Sequence, residues 1–277
     1  MTEKNKYPPL IENTKFPNTI DSMAKEMKAL GIEEGDTAIV HSSLSALGWV
    51  CCDQSAVVLA LIKAFGPDGT IVMPAHTSSN SDPAEWEHPP VPEEWHETIR
   101  QTIPAFDKAI APSEGMGLIA ECFRTYPGTL RSNHPQVSFT ARGKHAGQIT
   151  GQHVLTPFFG IDTPLGALYQ LNAKVFLLGV DYSKCTAFHL AEALYGQLKL
   201  VKEGCAICEN GTRLWKWFED YDYDGDDFQR LGEAFEAGGS VSVGMIGNAE
   251  CRLFHVKPAV DFAVEWMREN RAEVAIP

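Results

Sequence analysis

The chain has 277 residues, 44% of them apolar and 10% aromatic, which is enough for a large core and too apolar for a disordered chain. Its 36 acidic and 23 basic side chains leave a formal charge of −13. That balance argues against nucleic acid, whose phosphates need a basic face, and against an anionic membrane surface. It suits a cationic small-molecule partner, or solubility alone.

The N-terminal MTEKNKYPPL has no secretory-signal pattern, and no apolar run is long enough to span a bilayer. The seven cysteines follow no framework spacing, so a reducing, cytoplasmic setting is expected. Adjacent Cys51 and Cys52 are unsuited to an ordinary bridge. Cys205 and Cys208 form a CxxC without the second ligand pair that zinc needs.

Ile20, Met23, Ala24, Met27 and Leu30 share one face of a helix predicted over 18–30. Thr19 caps it and Gly31 stops it. A buried strand over 37–41, a helix over 55–65, the turn Gly66-Pro67-Asp68-Gly69 and a strand over 70–74 then make a βαβ unit. Residues 78–113 differ. They hold six prolines with Trp86, Trp95 and Phe106, and read as an ordered excursion, either a wall over a site or a packed surface extension. A helix over 117–124, a short strand over 137–140, a strand over 175–179 and a helix over 186–195 follow. Strands over 240–245 and 251–256 turn around Gly247-Asn248, and a helix over 259–270 closes the chain. The pattern is an α/β fold with a mixed central sheet flanked by helices, in a single domain over 1–277.

Four local patterns could carry chemistry. On the helix after strand 175–179, Thr186, His189 and Glu192 share a face. A carboxylate three residues from an imidazole can fix the ring's tautomer and make it a general base; the same pair also occurs as a plain salt bridge. His41-Ser42-Ser43 ends a buried strand, where small hydroxyl residues leave backbone N–H groups open to phosphates or close a simple turn. Arg131-Ser132-Asn133-His134 could recognise anions or hydroxyls. Glu219–Asp227 holds six acids in nine residues. It fits a calcium loop poorly, because Asp227 stands where a glycine is needed. An acidic wall for a polycation or a solvated loop suits it better.

Several motifs occur together: HSSLSALG (41–48), MPAHT (73–77), DPAEWEHPPVPEEW (82–95), GMG with AECFR (115–124), RSNHPQVSF (131–139) and FHLAE (188–192). In this order they resemble the aminoglycoside N3-acetyltransferase family over nearly the whole chain. The resemblance implies that family's fold, distinct from the GCN5-type acetyltransferases. It implies direct transfer of acetyl from acetyl-CoA to the 3-amino group of a 2-deoxystreptamine antibiotic, giving resistance, with no metal. It makes His189 the general base, paired with Glu192, and places Thr186 against the thioester. It puts His41, Ser42 and Ser43 in the CoA site, and His134, Asp222 and Asp224 on the side of a polycationic substrate. Cys51-Cys52-Asp53 departs from the family, where glycines tend to follow the tryptophan. Arg131, Arg142 and Lys144 are candidates for the CoA phosphates on composition alone. The alternatives are acetylation of another small amine metabolite, a metal-dependent hydrolase, and a non-catalytic binder of cations. Cys185 beside Thr186 leaves an acyl-cysteine route open. A homodimer is an open alternative for the assembly.

Overall fold

The structure is a computed structural model and describes residues 8–271. The first seven residues of the N-terminal stretch read above therefore lie outside the described residues. In chain order the elements are α1 (Pro9–Glu12), α2 (Ile20–Leu30), β1 (Thr37–Ser42), α3 (Asp53–Phe65), β2 (Thr70–Pro74), α4 (Glu93–Thr102), α5 (Gly117–Thr125), β3 (Leu130–Arg131), β4 (Phe139–Gly143) and α6 (Ala146–Gly151). Then come α7 (Pro164–Gln170), β5 (Lys174–Leu178), α8 (Ala187–Tyr195), β6 (Leu200–Glu209), β7 (Thr212–Tyr221), α9 (Phe228–Ala237), β8 (Ser242–Ile246), β9 (Ala249–His255) and α10 (Val256–Asn270).

Seven strands form one sheet in the order β3-β4-β2-β1-β5-β9-β8. β1, β2 and β5 are parallel, and the outer strands join antiparallel. Successive side chains of a strand point to opposite faces, so each central strand feeds two cores. Ala38, Val40, Ile71, Met73, Phe176 and Leu178 pack with α2, α3 and α5. Ile39, Val72, Val175 and Leu177 pack on the other face with α6 to α10. The expected βαβ unit is β1-α3-β2, with Thr37 opposite Thr70. The predicted cap of α2 is present: Thr19 Oγ1 accepts from Ser22 N–H, Ser22 Oγ accepts from Thr19 N–H, and Gly31 stops the helix at φ 121°.

β6 and β7 form a separate hairpin. Asn210 and Gly211, both at positive φ, make its two-residue turn. The Pro- and Trp-rich excursion is ordered and contains α4, a helix absent from the sequence reading. It is fastened to the hairpin. Asn80 exchanges hydrogen bonds with the backbone N–H and carbonyl of Ala206, and Phe106 N–H donates to the same carbonyl. The Arg213 guanidinium caps the carbonyls of Ile103 and Arg100. Among the described residues no helix is long and apolar enough to cross a membrane.

The helix α9 lies directly against Tyr182, which is fully buried and donates to Glu236 at 2.7 Å. A Cβ on Gly232 would sit 2.0 Å from the Tyr182 ring. Gly232→Ala therefore overpacks this contact and should cost about 3 kcal/mol. Urea unfolding should show a lower midpoint at unchanged slope. An unchanged midpoint would contradict this seating of α9.

Candidate active site

In open α/β sheets the ligand crevice lies beyond the carboxyl ends of the strands, where neighbouring connections diverge. Here β1 is flanked by β2 on one side and β5 on the other. A cleft of about 620 Å³ opens at their carboxyl ends, lined by His41, Ser42, Ser43, Thr186 and His189. Three helices begin in its wall, α3 at Asp53, α5 at Gly117 and α8 after Thr186. None has a side-chain cap. Asp53 N–H donates to Val50, Phe188 N–H to Cys185 and His189 N–H to Thr186, so it is the positive helix ends more than free donors that make that wall electropositive. Gly117, at φ 85°, lets the start of α5 come close to the Ser42 carbonyl.

His189 and Glu192 share a face of α8, as their spacing predicts. His189 Nδ1 lies 2.5 Å from Glu192 Oε2. A carboxylate only accepts, so the Nδ1 proton points at it, and in the neutral ring that leaves Nε2 with its lone pair. Glu192 is 0% exposed. Its other oxygen accepts from Arg271 Nη1 at 2.7 Å and from Asp224 N–H at 3.1 Å. Arg271 also forks onto Asp227 and donates to the Asp224 carbonyl. One guanidinium thus ties the end of α10, the acidic loop and the buried carboxylate together. Phe159 stacks on the His189 ring at 4.7 Å, with Phe228 at 4.8 Å and Tyr223 edge-on at 5.7 Å. The imidazole is clamped in one orientation.

The period of β1 puts His41 on the same face as Ile39, the face that α8 covers. Burial, and then His189, push the His41 pKa down to about 3, and its Nε2 has no hydrogen-bond partner. His76, just past β2, is similar: burial first, then its charged neighbours, push it to about 3. Ser42 and Ser43 stand in the cleft wall, and Ser43 Oγ lies 3.2 Å from Ser45 Oγ. Thr186, at the start of α8, uses its hydroxyl for no cap.

His134 is placed otherwise than the resemblance implies. It is fully buried, and both ring nitrogens are occupied. Nδ1 accepts from the N–H groups of Gln136 and Val137, and Nε2 donates to the Leu155 carbonyl. Burial lowers its pKa to about 4. It braces loops under the site and has no atom left for a substrate. The acidic run is also divided. Asp220 is buried and accepts from Phe158 N–H at 2.7 Å, and Asp227 is paired with Arg271 at 2.6 Å. Asp222, Asp224 and Asp226 are exposed. Glu233, further along on α9, accepts from Gln229.

The three cations chosen on composition do not line the cleft. Arg131 is buried and spans Ser138, Thr77 and the carbonyls of Ala75 and Ala111, while Arg142 lies over Tyr126. Lys144 is exposed on the turn after β4. Lys184, which no motif pointed to, stands in the cleft wall. Cys185 is fully buried, which pushes its thiol up to about 12 and leaves little thiolate for acyl transfer. Cys205 is buried while Cys208 is exposed, so this CxxC does not converge.

A family model described as aminoglycoside 3-N-acetyltransferase matches residues 39–268. The chain is 45% identical over 262 residues to an SPbeta prophage-derived aminoglycoside N(3')-acetyltransferase-like protein, YokD, of Bacillus subtilis (strain 168), covering 94% of this chain and 96% of that one. It is 31% identical over 277 residues to aminoglycoside N(3)-acetyltransferase VII of Streptomyces paromomycinus, covering 94% and 95%. The crystal structure of the Bacillus subtilis protein superposes with a TM-score of 0.93 over 94% of this chain and 97% of that one. A structure of AAC-IIIb as a binary complex with CoASH superposes at 0.83 with 28% identity over 95% and 100%. One of AAC-VIa bound to sisomicin superposes at 0.83 with 28% identity over 93% and 100%.

The buried histidines make stability pH-dependent. Burial holds His41, His76, His134 and His153 below the ordinary histidine value of about 6.5. Between about 4 and 6.5 the unfolded chain therefore binds more protons at these sites, and stability falls as pH falls. Asp220 acts oppositely, because burial raises it to about 6, so its contribution falls as pH rises from about 4 to 6. Unfolding near pH 5 should take up about three protons net from these five groups, a slope near 4 kcal/mol per pH unit. His76→Gln should cut that slope by about 1.4 kcal/mol per pH unit, read from urea melts at pH 5 and 6. An unchanged slope would contradict a neutral buried His76.

Proposed function

The chain belongs to the aminoglycoside 3-N-acetyltransferase family of acyltransferases, and on that premise we propose that it acetylates the 3-amino group of 2-deoxystreptamine aminoglycosides, a modification that gives resistance. The His189–Glu192 contact, with its carboxylate buried and braced, carries this reading. Acetyl-CoA supplies an activated acetyl thioester. The cleft suits such a donor: three uncapped helix starts and Lys184 stand in its wall, a positive setting for phosphates and a polar chain. His41, Ser42 and Ser43 would hold this molecule, consistent with the CoASH bound to AAC-IIIb.

An amine attacks only as the free base, and it gains positive charge as the new C–N bond forms. His189 Nε2, unprotonated and facing the cleft, takes the proton from the attacking nitrogen. The imidazolium that results has its Nδ1–H directed at Glu192, whose negative charge stabilises it. Arg271 and the Asp224 N–H hold the other oxygen of Glu192. The negative charge that grows on the attacked carbonyl oxygen needs a donor, and the Thr186 hydroxyl, which caps nothing, would supply one beside the positive end of α8. The thioester C–S bond then breaks, and His189 hands its proton to the departing thiolate, leaving the acetylated amine and the free thiol. No nucleophilic side chain is required, and Cys185 is left out of the path. Asp222 and Asp224 face solvent next to the ring box and would draw in a polycation such as the sisomicin that AAC-VIa binds. Among the described residues no three His, Cys, Asp or Glu side chains converge as metal ligands.

His189→Ala should lower kcat by about 10²–10⁴ with acetyl-CoA affinity unchanged, read as thiol release across an aminoglycoside panel. Full activity in the variant would remove the base. Wild-type protein that binds acetyl-CoA but turns over no aminoglycoside would direct the same machinery to another small amine.

A further inference from the structure

Of the seven cysteines, Cys185, Cys205 and Cys251 are buried, and Cys122 is partly buried on α5. Cys51, Cys52 and Cys208 are exposed. Two of these three are neighbours in the chain, so a pair of thiols meets solvent at one point. The thiols also interact: the charge of Cys52, and then a hydrogen bond to it, raise the Cys51 thiol. Their backbone is held firmly. Cys51 N–H donates to the carbonyl of buried Asn18 at 2.9 Å, and the Asn18 amide donates to the carbonyls of Leu47 and Trp49. Cys52 stands at φ 69° just before α3, a conformation that glycine adopts freely and other residues adopt under strain.

Adjacency decides what such a pair can hold. The peptide between Cys51 and Cys52 is trans. Consecutive Cα atoms are then about 3.8 Å apart, below the roughly 4.4–6.8 Å of an ordinary disulfide. An S–S bond here would be strained, whereas one larger soft atom set between the sulfurs widens the ring. Zinc needs four ligands, and no three His, Cys, Asp or Glu side chains converge among the described residues. The fit is a soft centre that takes two thiolates and brings its own third substituent. Trivalent arsenic with one organic group is such a centre. The pair also has a strategic position. Val50 and Asp53, on either side of it, line the cleft at the carboxyl ends of β1 and β2. A group clamped on the two sulfurs stands at the rim of that cleft.

We propose that Cys51 and Cys52 form a dithiol site for monosubstituted trivalent arsenicals, and that its occupation obstructs the donor cleft. The reacting arsenical carries two hydroxyls on arsenic. Two S–As bonds form and two As–O bonds break. Each thiol proton leaves on a hydroxide as water, and arsenic stays trivalent. The obstruction rests on the acetyl-CoA reading above; the dithiol site does not.

Phenylarsine oxide, added to the reduced full chain, tests both claims. Intact mass should show one phenylarsenic group per chain, removed by dimercaptopropanol and retained in an equal excess of mercaptoethanol. Cys51→Ser and Cys52→Ser each lose one S–As bond and should bind the arsenical about 10²-fold more weakly. Cys122→Ser and Cys208→Ser should take it up as wild type does. Calorimetry should give an acetyl-CoA Kd about tenfold higher in the loaded protein, and saturating acetyl-CoA should weaken arsenical binding by the same factor. Without arsenical, Cys51→Ser and Cys52→Ser should bind acetyl-CoA as wild type does. Undiminished uptake in both of these variants would overturn the site, as would loss of uptake in Cys122→Ser or Cys208→Ser. Uptake with an unchanged acetyl-CoA Kd would overturn the obstruction. A wild type that takes up the arsenical but binds no acetyl-CoA would retain the dithiol site and refute the donor reading, and the obstruction with it.

Discussion

A carboxylate with no exposed surface is the constraint around which the site is arranged. Glu192 on α8 cannot be left unpaired, since breaking a buried ion pair costs about 3–5 kcal/mol. Its partners come from three places: His189 on its own helix, the Asp224 N–H on the loop after β7, and Arg271 beyond α10. Satisfying that one group fixes the imidazole, folds the acidic loop back over the helix and ties down the end of the described chain. The aromatic box of Phe159, Tyr223 and Phe228 depends on the same closure, because Tyr223 and Phe228 flank the loop that Arg271 holds. The price is a charged cluster in the interior, and its function is to keep one tautomer in place.

His189 stands between two regions of opposite polarity. On one side, uncapped helix starts and Lys184 offer donors and positive potential. On the other, the hairpin and the excursion offer acceptors and negative charge. A reaction between a phosphate-bearing donor and a cationic acceptor needs that division, and each side disfavours the other's ligand. The overall charge of −13 does not by itself describe this. Two of the six acids in 219–227 serve the fold, Asp220 and Asp227.

Much of the frame was legible in the sequence because it depends on local pattern. The face of α2 and its Thr19 cap, the β1-α3-β2 unit and the pairing of His189 with Glu192 follow from spacings of a few residues. The hairpin had a readable signal in Asn210-Gly211, but that signal lies between a CxxC and an acid run that draw the eye to metals. The helix α4 was hidden by the prolines around it and has no buried residue to give it a strong face. Long-range partners carry no local signature. Arg271 meets Glu192 from 79 positions away, and Gln136 meets Glu203 from 67. The resemblance gave His134 a substrate-side role. Residue type and motif do not reveal that two backbone N–H groups and a carbonyl already occupy its ring.

The proposed proton transfer depends on which nitrogen of His189 holds the proton in the neutral ring. Nitrogen-15 NMR of selectively labelled imidazoles, with His189→Gln to assign the signal, reads this directly. The structure predicts a protonated Nδ1 and a bare Nε2 in the wild type, with the preference lost in Glu192→Ala. A neutral His189 that carries its proton on Nε2 in the wild type would contradict the account, since that ring could not accept a proton from the acceptor amine.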